Sequence, residues 1–203
     1  MPSTPDLSPT LHGRVVRLEP LGRAHLAGLR RFAFDPALWT YASVAVAGDD
    51  DLAGYVAAAE AQREAGTAAP FAVLRRADGA VVGSTRFAAV SWPDRRVEIG
   101  WTFYDPAVQG TAVNTDVKRC LFAHAFDTWE LLRVELKADA LNARSRRAME
   151  AVGATFEGTL RQHMRTASGR QRDTVYYSVL ASEWPSVRAR LDARLAQRLA
   201  TSA

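Results

Sequence analysis

A short loop at the start of a helix is the part of the sequence whose residue types best suit chemistry. Gln109, Gly110 and Thr111 follow a segment rich in β-branched and aromatic residues, 97–104, and precede a helical pattern that starts at Val113. The first amides of a helix have no partner within it, and the helix dipole places positive charge there. Such a loop can bind a pyrophosphate. An ordinary strand-loop-helix connection has the same spacing, so the spacing alone leaves both interpretations open.

The elements around this loop predict an α+β fold. Asp78-Gly79 favours a hairpin between two strands, and a third strand follows from Arg95. Three antiparallel strands before the central helix indicate a mixed, mostly antiparallel sheet flanked by helices, and not a doubly wound one. Strands are predicted at 15–18, 71–76, 81–89, 97–104, 133–138, 154–160 and 174–180, and helices at 23–34, 49–65, 113–129, 142–152 and from about 185. The apolar stripe of the last helix should pack on the domain or on a second subunit.

Length and composition favour one domain. The chain has 203 residues, of which 48% are hydrophobic, which is enough for a sizeable core. Residues 1–12 contain three prolines among serine and threonine and are predicted to be a disordered leader, so the domain should span 13–203. Cys120 is the single cysteine, which excludes an internal disulfide and, with no signal-like apolar start, favours a reducing cytoplasm. We interpret Cys120 as core packing. No run approaches the roughly 20 apolar residues of a membrane span.

The segment GTAVNTDVK, residues 110–118, resembles GTGVNTEAK, which occurs in some GNAT N-acetyltransferases of the RimJ/RimL-like branch that acetylates ribosomal-protein amino termini. The order of elements from about residue 11 to residue 184 resembles the same family. This resemblance implies the GNAT acyl-CoA N-acyltransferase fold. It also implies that acetyl-CoA is held through its pyrophosphate by Gln109, Gly110, Thr111, Ala112, Val113 and Asn114, with Ala112 where many members have glycine. Backbone groups of Thr102, Phe103 and Tyr104 should bond the pantetheine arm.

The resemblance also suggests which residues move protons. Glu98 is the candidate base, because a carboxylate beside the acetyl site could draw a proton from the amine through water. Ser145 is the candidate acid for the leaving thiolate, and Asn142 should bond the pantetheine arm. A solvated strand glutamate and an ordinary Asn-x-x-Ser helix start are the alternatives. Arg147 is the candidate residue for binding the CoA 3′-phosphate. The alternative is that its side chain faces water.

Two further features concern the acceptor side. Trp39 and Tyr41 lie between the first two predicted helices, where GNAT proteins form part of the acceptor pocket, and we interpret both as aromatic packing. Strand alternation groups Glu98 with Gly100 and Thr102 on one face. The opposite face should carry Val97, Ile99 and Trp101.

The implied reaction is transfer of acetyl from acetyl-CoA to a primary amine by direct attack in a ternary complex. A protein amino terminus is the leading acceptor, and a small amine such as an antibiotic is the second. A non-catalytic module that binds acyl-CoA or RNA is the alternative outside enzymes, and the net charge of +4, carried mostly by arginine, is compatible with it. No HExxH sequence, paired cysteine motif or histidine group is present, so no metal site is predicted. A homodimer is a candidate assembly.

Overall fold

The computed structural model describes residues 5–201, which form one eight-stranded sheet with helices on both faces. The strands are β1 Leu11–His12, β2 Val16–Pro20, β3 Ala69–Arg75, β4 Val81–Ser91, β5 Arg96–Tyr104, β6 Arg133–Asp139, β7 Thr155–Arg165 and β8 Gln171–Leu180. The helices are α1 Leu26–Ala33, α2 Asp49–Glu64, α3 Val113–Ala123, α4 Ala143–Ala151 and α5 Trp184–Thr201. The strand order is β1-β2-β3-β4-β5-β6-β8-β7, and only β5 and β6 run parallel. The predicted mixed, mostly antiparallel sheet is confirmed.

The first strand corrects the predicted leader. Residues 1–4 lie outside the described residues, but Leu11 and His12 pair with Leu18 and Arg17 of β2. Leu7 and Leu11 also pack against the core. The prediction of disorder up to residue 12 is therefore wrong for β1. A two-residue strand is too short to produce a periodic pattern, and the neighbouring prolines favour disorder.

Two hydrophobic clusters cover the two faces of the sheet. Phe71 and Val73 of β3 belong to the cluster that contains α3, α4 and α5, whereas Ala72 and Leu74 belong to the cluster that contains α1 and α2. Successive residues of a strand point to opposite faces, which explains why β3 is buried on both. The stripe of α5 is buried within this chain through Val187, Leu191 and Leu195. None of the described helices is both long and apolar enough to cross a membrane.

The two central strands separate partway along their length. β5 and β6 pair only from Arg96 opposite Arg133 to Glu98 opposite Glu135. Both strands continue past these residues without pairing to each other, β5 to Tyr104 and β6 to Asp139. A wedge therefore opens between them, and the edge of β5 that faces β6 has unpaired backbone.

A β-bulge in β5 changes which side chains face which helices. Ser84 pairs with Phe103 and Arg86 with Gly100, so two residues of β5 oppose one of β4, and Trp101 has a φ of +49°. After the bulge, Phe103 joins the cluster of α1 and α2, while Tyr104 joins the cluster that contains Ile99.

The bulge makes the predicted placement of two side chains wrong. The hydroxyls of Thr102 and Thr85 form a hydrogen bond at 2.7 Å. Thr85 precedes Arg86 on β4, so this bond lies on the face of the sheet opposite Arg86. The Trp101 ring lies 5.7 Å from Lys137 Nζ, which also pairs with Glu98. Trp101 therefore lies on the side of Glu98, and Thr102 does not. One inserted residue reverses the alternation beyond it.

Candidate active site

A cleft of about 880 Å³ occupies the wedge between β5 and β6. Its walls are the second half of β5, the end of β6, the N-terminal parts of α3 and α4, one side of α2 and the loop between α1 and α2. Of the predicted site residues, the cleft is lined by Glu98, Thr102, Phe103, Tyr104, Gln109, Gly110, Asn114, Asn142 and Ser145. The fold thus brings both candidate proton-transfer residues and most of the predicted cofactor residues to one cavity.

The loop before α3 has the geometry of an anion site. Gly110 has a φ of +80°, a conformation that favours glycine, and Ala112 adopts an ordinary helical conformation as the residue that caps α3. The hydroxyl of Thr111 accepts a hydrogen bond from the Val113 amide at 3.3 Å. The remaining first-turn amides of α3 have no partner within the helix. Ala112 has a φ of −66° and a ψ of −20°, so the conformation here does not require glycine at 112.

Side chains fix this loop against its neighbours. The Gln109 side-chain amide donates to the Tyr104 carbonyl at 3.2 Å and its oxygen accepts from Arg144 of α4. The Tyr104 hydroxyl donates to Asn114 Oδ1 at 3.1 Å, and burial raises the pKa of that phenol, so it stays a donor. From the other side, Arg198 of α5 donates to the Gly110 carbonyl. These bonds hold the loop against β5, α4 and α5.

Glu98 lies at the narrow end of the wedge. The residue is only 4% exposed, and its carboxylate pairs with Lys137 Nζ at 2.8 Å. Gly100 makes room for it, because a Cβ on Gly100 would lie 2.6 Å from Glu98 Oε1. The alternative of a solvated strand glutamate is therefore wrong. A buried carboxylate that lines the cleft is in a position to accept a proton.

Asn142 and Ser145 open α4 on the opposite wall. Asn142 Oδ1 accepts from the Ser145 amide at 3.0 Å, so the helix-capping alternative describes a bond that is present. That bond uses the oxygen of Asn142 and the amide of Ser145. It leaves the Asn142 amide group and the Ser145 hydroxyl available to a ligand, and both residues line the cleft.

Comparison with known proteins identifies the family. Residues 16–155, more than half of the chain, match the family described as Acetyltransferase (GNAT) domain. The chain belongs to the GNAT acetyltransferase family. A GCN5-related N-acetyltransferase from Brucella melitensis is 30% identical, with a TM-score of 0.85 over 95% of this chain and 87% of that one. The RimJ protein of Mycobacterium smegmatis, solved with CoA-disulfide, is 23% identical and has the same fold, with a TM-score of 0.79 over 94% of this chain and 95% of that one.

A curated relative comes from Bacillus subtilis (strain 168) and bears the name "Putative ribosomal N-acetyltransferase YdaF". It is 33% identical over 107 residues, which are 53% of this chain and 57% of that protein. The match thus spans little more than half of the relative's length. GNAT acetyltransferases use acetyl-CoA.

Three cations of the GNAT cleft were not among the predicted site residues. Lys118 of α3 is buried, and its pKa is lowered to about 7, mainly because burial disfavours the charged form, while Glu98 opposes that shift. It lies four residues after Asn114, so the two share a helix face, and this spacing was the signal in the sequence. Arg86 of β4 and Arg172 of β8 are buried and line the cleft. Each of these two arginines lies in a strand with many buried residues.

Of the remaining singled-out residues, Arg147 and Cys120 do not line the cleft, whereas Trp39 and Tyr41 do. Arg147 is exposed on α4 and does not line the cleft, whereas Arg144 does. Cys120 lies in the core, where burial raises its pKa to about 12, so its interpretation as packing is confirmed. Trp39 is buried against Phe103, with ring centroids 4.9 Å apart, which confirms aromatic packing for it. Tyr41 is only partly buried and lines the cleft.

Proposed function

We propose that this chain transfers an acetyl group from acetyl-CoA to a primary amine by direct attack in a ternary complex. The observation that carries the proposal is that one cleft is lined by both the loop before α3 and Glu98. The open edge of β5 and Ser145 line the same cleft. One cavity therefore offers groups for the cofactor and for the chemistry.

The cofactor would lie along the wall formed by β5, α3 and α4. The amides of Gly110, Ala112 and Asn114 suit the pyrophosphate, because a helix N-terminus attracts anions. The open backbone of residues 102–104 and the side-chain amide of Asn142 suit the amide groups of the pantetheine arm. Arg147 remains our candidate for the 3′-phosphate, and Arg144 lies nearer to the cleft.

The reaction forms one bond and breaks another. The amine nitrogen attacks the thioester carbonyl, the C–N bond forms and the C–S bond breaks. The proton that the amine loses passes to Glu98 through water, and the Ser145 hydroxyl donates to the departing sulfur. Lys118, whose pKa is about 7, lies beside Glu98 and adds positive charge when it is protonated.

The acceptor is proposed on other grounds. The Bacillus subtilis relative is named as a ribosomal N-acetyltransferase, and this name supports the amino terminus of a ribosomal protein as the acceptor. The loop of residues 38–46 and the α2 side of the cleft leave the acceptor end open to solvent. A small amine is the second candidate, because the same opening admits both.

The test is acetyl-CoA-dependent thiol release, measured with a panel of peptide amino termini and small amines, with products identified by a 42 Da mass increase (about that of one acetyl group). Turnover with any primary amine supports the proposal. Acetyl-CoA binding without turnover for any amine would favour a non-catalytic acyl-CoA module. Failure to bind acetyl-CoA, together with salt-sensitive RNA binding, would favour the RNA-binding alternative.

We also propose a homodimer formed through the end of the sheet that β7 occupies. β7 is an edge strand, and Phe156 and Leu160 on it are about half exposed. Exposed apolar residues on a sheet edge favour association with another chain. Sedimentation at several concentrations tests this, and Phe156→Glu should yield monomers. A monomer at all concentrations for the unchanged chain would contradict the proposal.

A further inference from the structure

We propose that the acceptor amine carries a carboxylate a few bonds from its nitrogen, and that Arg86 binds that carboxylate. The inference rests on the proposed acetyl transfer and narrows the acceptor to a chemical class. The class includes free amino acids, through the α-carboxylate, and peptides whose first residue is acidic. Four observations support it.

Arg86 is held in a fixed position in the cleft. Its side chain is only 2% exposed, and its guanidinium carbon lies 5.1 Å from the centre of the Tyr55 ring and 5.2 Å from that of Trp101. Its Nη1 donates to Gln62 Oε1 at 2.8 Å. Two aromatic rings and one amide thus orient the guanidinium before a ligand arrives. Arginine binds carboxylates through two parallel N–H groups, so a guanidinium that is held in one orientation is well suited to bind a carboxylate.

The charge of Arg86 has no counterion within the part of the chain that the structure describes. No carboxylate of residues 5–201 forms an ion pair with it, and its buried Nε has no hydrogen-bond partner there. Glu98, the acid on the neighbouring strand, is paired with Lys137 instead. A buried cation without a partner is costly, and buried charges are normally paired. An anion from the acceptor would supply the missing partner.

Arg172 is a second buried arginine of the same cleft that forms no ion pair with the described residues. Arg172 is 7% exposed, and its Nη1 donates to the Tyr41 carbonyl at 3.2 Å, while its Nε has no partner among the described residues. The nearby Asp139 is bound by Arg170. Burial lowers the pKa of Arg172, which reflects the cost of holding this charge away from water. The acceptor side of the cleft therefore favours negative charge at more than one point.

The position of Arg86 relative to Glu98 sets the size of the acceptor group. Arg86 pairs with Gly100, two residues along β5 from Glu98. Two strand residues span about 7 Å. Both side chains therefore meet the same short stretch of the cleft, so a carboxylate a few bonds from the amine can reach Arg86 while the amine bonds the water that leads to Glu98. An α-amino acid or an acidic first residue of a peptide satisfies this spacing.

The test compares acceptors that differ only in the carboxylate. Alanine is compared with alaninamide, and a Glu-first peptide with its Gln-first counterpart, both peptides with amidated ends. We expect kcat/KM to be about 10- to 100-fold higher for the carboxylate member of at least one pair, as for a hydrogen bond to a charged group. A preference within the first pair would indicate a free amino acid as the acceptor. A preference within the second pair would indicate a peptide whose first residue is acidic.

Variants assign the preference to Arg86. Arg86→Met should abolish the preference while turnover of the amide member continues, and Arg86→Lys should restore part of it. Arg161→Met is the matched control, because Arg161 is exposed and outside the cleft. An equal loss for both members of a pair would mean that Arg86 is only structural and would overturn the inference. If Arg86→Met does not fold, absence of any preference in the unchanged chain would overturn it as well.

A binding measurement separates this inference from the proposed function. N-acetylalanine and N-acetylalaninamide are titrated calorimetrically against the protein saturated with CoA. Preferential binding of the carboxylate product supports the inference even where turnover is slow. Turnover of uncharged amines with no carboxylate preference in either assay would leave the acetyltransferase proposal standing and overturn the inference. If no amine is acetylated and neither product binds, both fail.

Discussion

Replacing Lys118 by methionine should stabilise the protein in a manner that depends on pH. Lys118 is buried on α3, and no carboxylate of the described residues forms an ion pair with it. Burial lowers its pKa from 10.5 to about 7. Methionine has a similar length, lacks the charge and suits an irregular apolar space. The substitution therefore removes the cost of burying the charge with little change in volume.

The size of the effect follows from the pKa difference between the unfolded and folded states. Each pKa unit is worth about 1.4 kcal/mol, so lowering the pKa from 10.5 to about 7 costs roughly 5 kcal/mol when Lys118 is charged in both states. Below pH 7 that full cost applies. Between pH 7 and 10.5 the folded state loses the proton first, so the cost falls as pH rises, to roughly 2 kcal/mol at pH 9.

Urea unfolding of both proteins at pH 6, 7.5 and 9 measures this. The free energy of unfolding of Lys118→Met should exceed that of the unchanged chain most at pH 6, and the gap should shrink by about 3 kcal/mol at pH 9. Lys137→Met is the matched control, because Lys137 pairs with Glu98. Its loss leaves a buried carboxylate alone and should destabilise. A gap for Lys118→Met that is independent of pH would refute the reasoning.

Three further predictions concern named side chains. Ser145→Ala should lower kcat by about 10- to 100-fold with acetyl-CoA affinity unchanged, and an unchanged kcat would remove Ser145 from proton transfer. Glu98→Gln should lower the rate by about 100-fold and remove one limb of the pH-rate profile, so a profile like that of the unchanged chain would exclude Glu98 as the base. Asp116→Asn should cost about 1–3 kcal/mol in urea unfolding, because buried Asp116 Oδ2 accepts from the amides of Val15 and Val16 at 2.7 and 3.1 Å; no change in stability would contradict this.

The elements with strong local signals could be predicted from the sequence. The hairpin at Asp78-Gly79 and the start of the central helix at Val113 are confirmed, because turn chemistry and helical spacing are local properties. The loop at Gln109 and the cap at Asn142 are local in the same sense, and both line the cleft. The cytoplasmic location stays a prediction.

The parts that depend on tertiary structure could not be predicted. The bulge at Trp101 inserts one residue and reverses the faces of the strand, and no residue type marks it. The burial of Lys118, Arg86 and Arg172 depends on which strands and helices meet. The pairing of Leu11 depends on a partner strand and a turn that position it. Contacts between distant segments decide these features.

The most direct test of the central claim is calorimetric titration with acetyl-CoA of the unchanged chain and of Asn114→Asp. Asn114 is in the first turn of α3, and its Oδ1 accepts from Tyr104. Aspartate keeps that acceptor and suits the helix dipole, so the fold should persist, but its charge should repel a pyrophosphate. We expect micromolar binding for the unchanged chain and at least tenfold weaker binding for Asn114→Asp. Absence of binding up to millimolar acetyl-CoA, or equal affinities for the two proteins, would contradict the assignment of this loop.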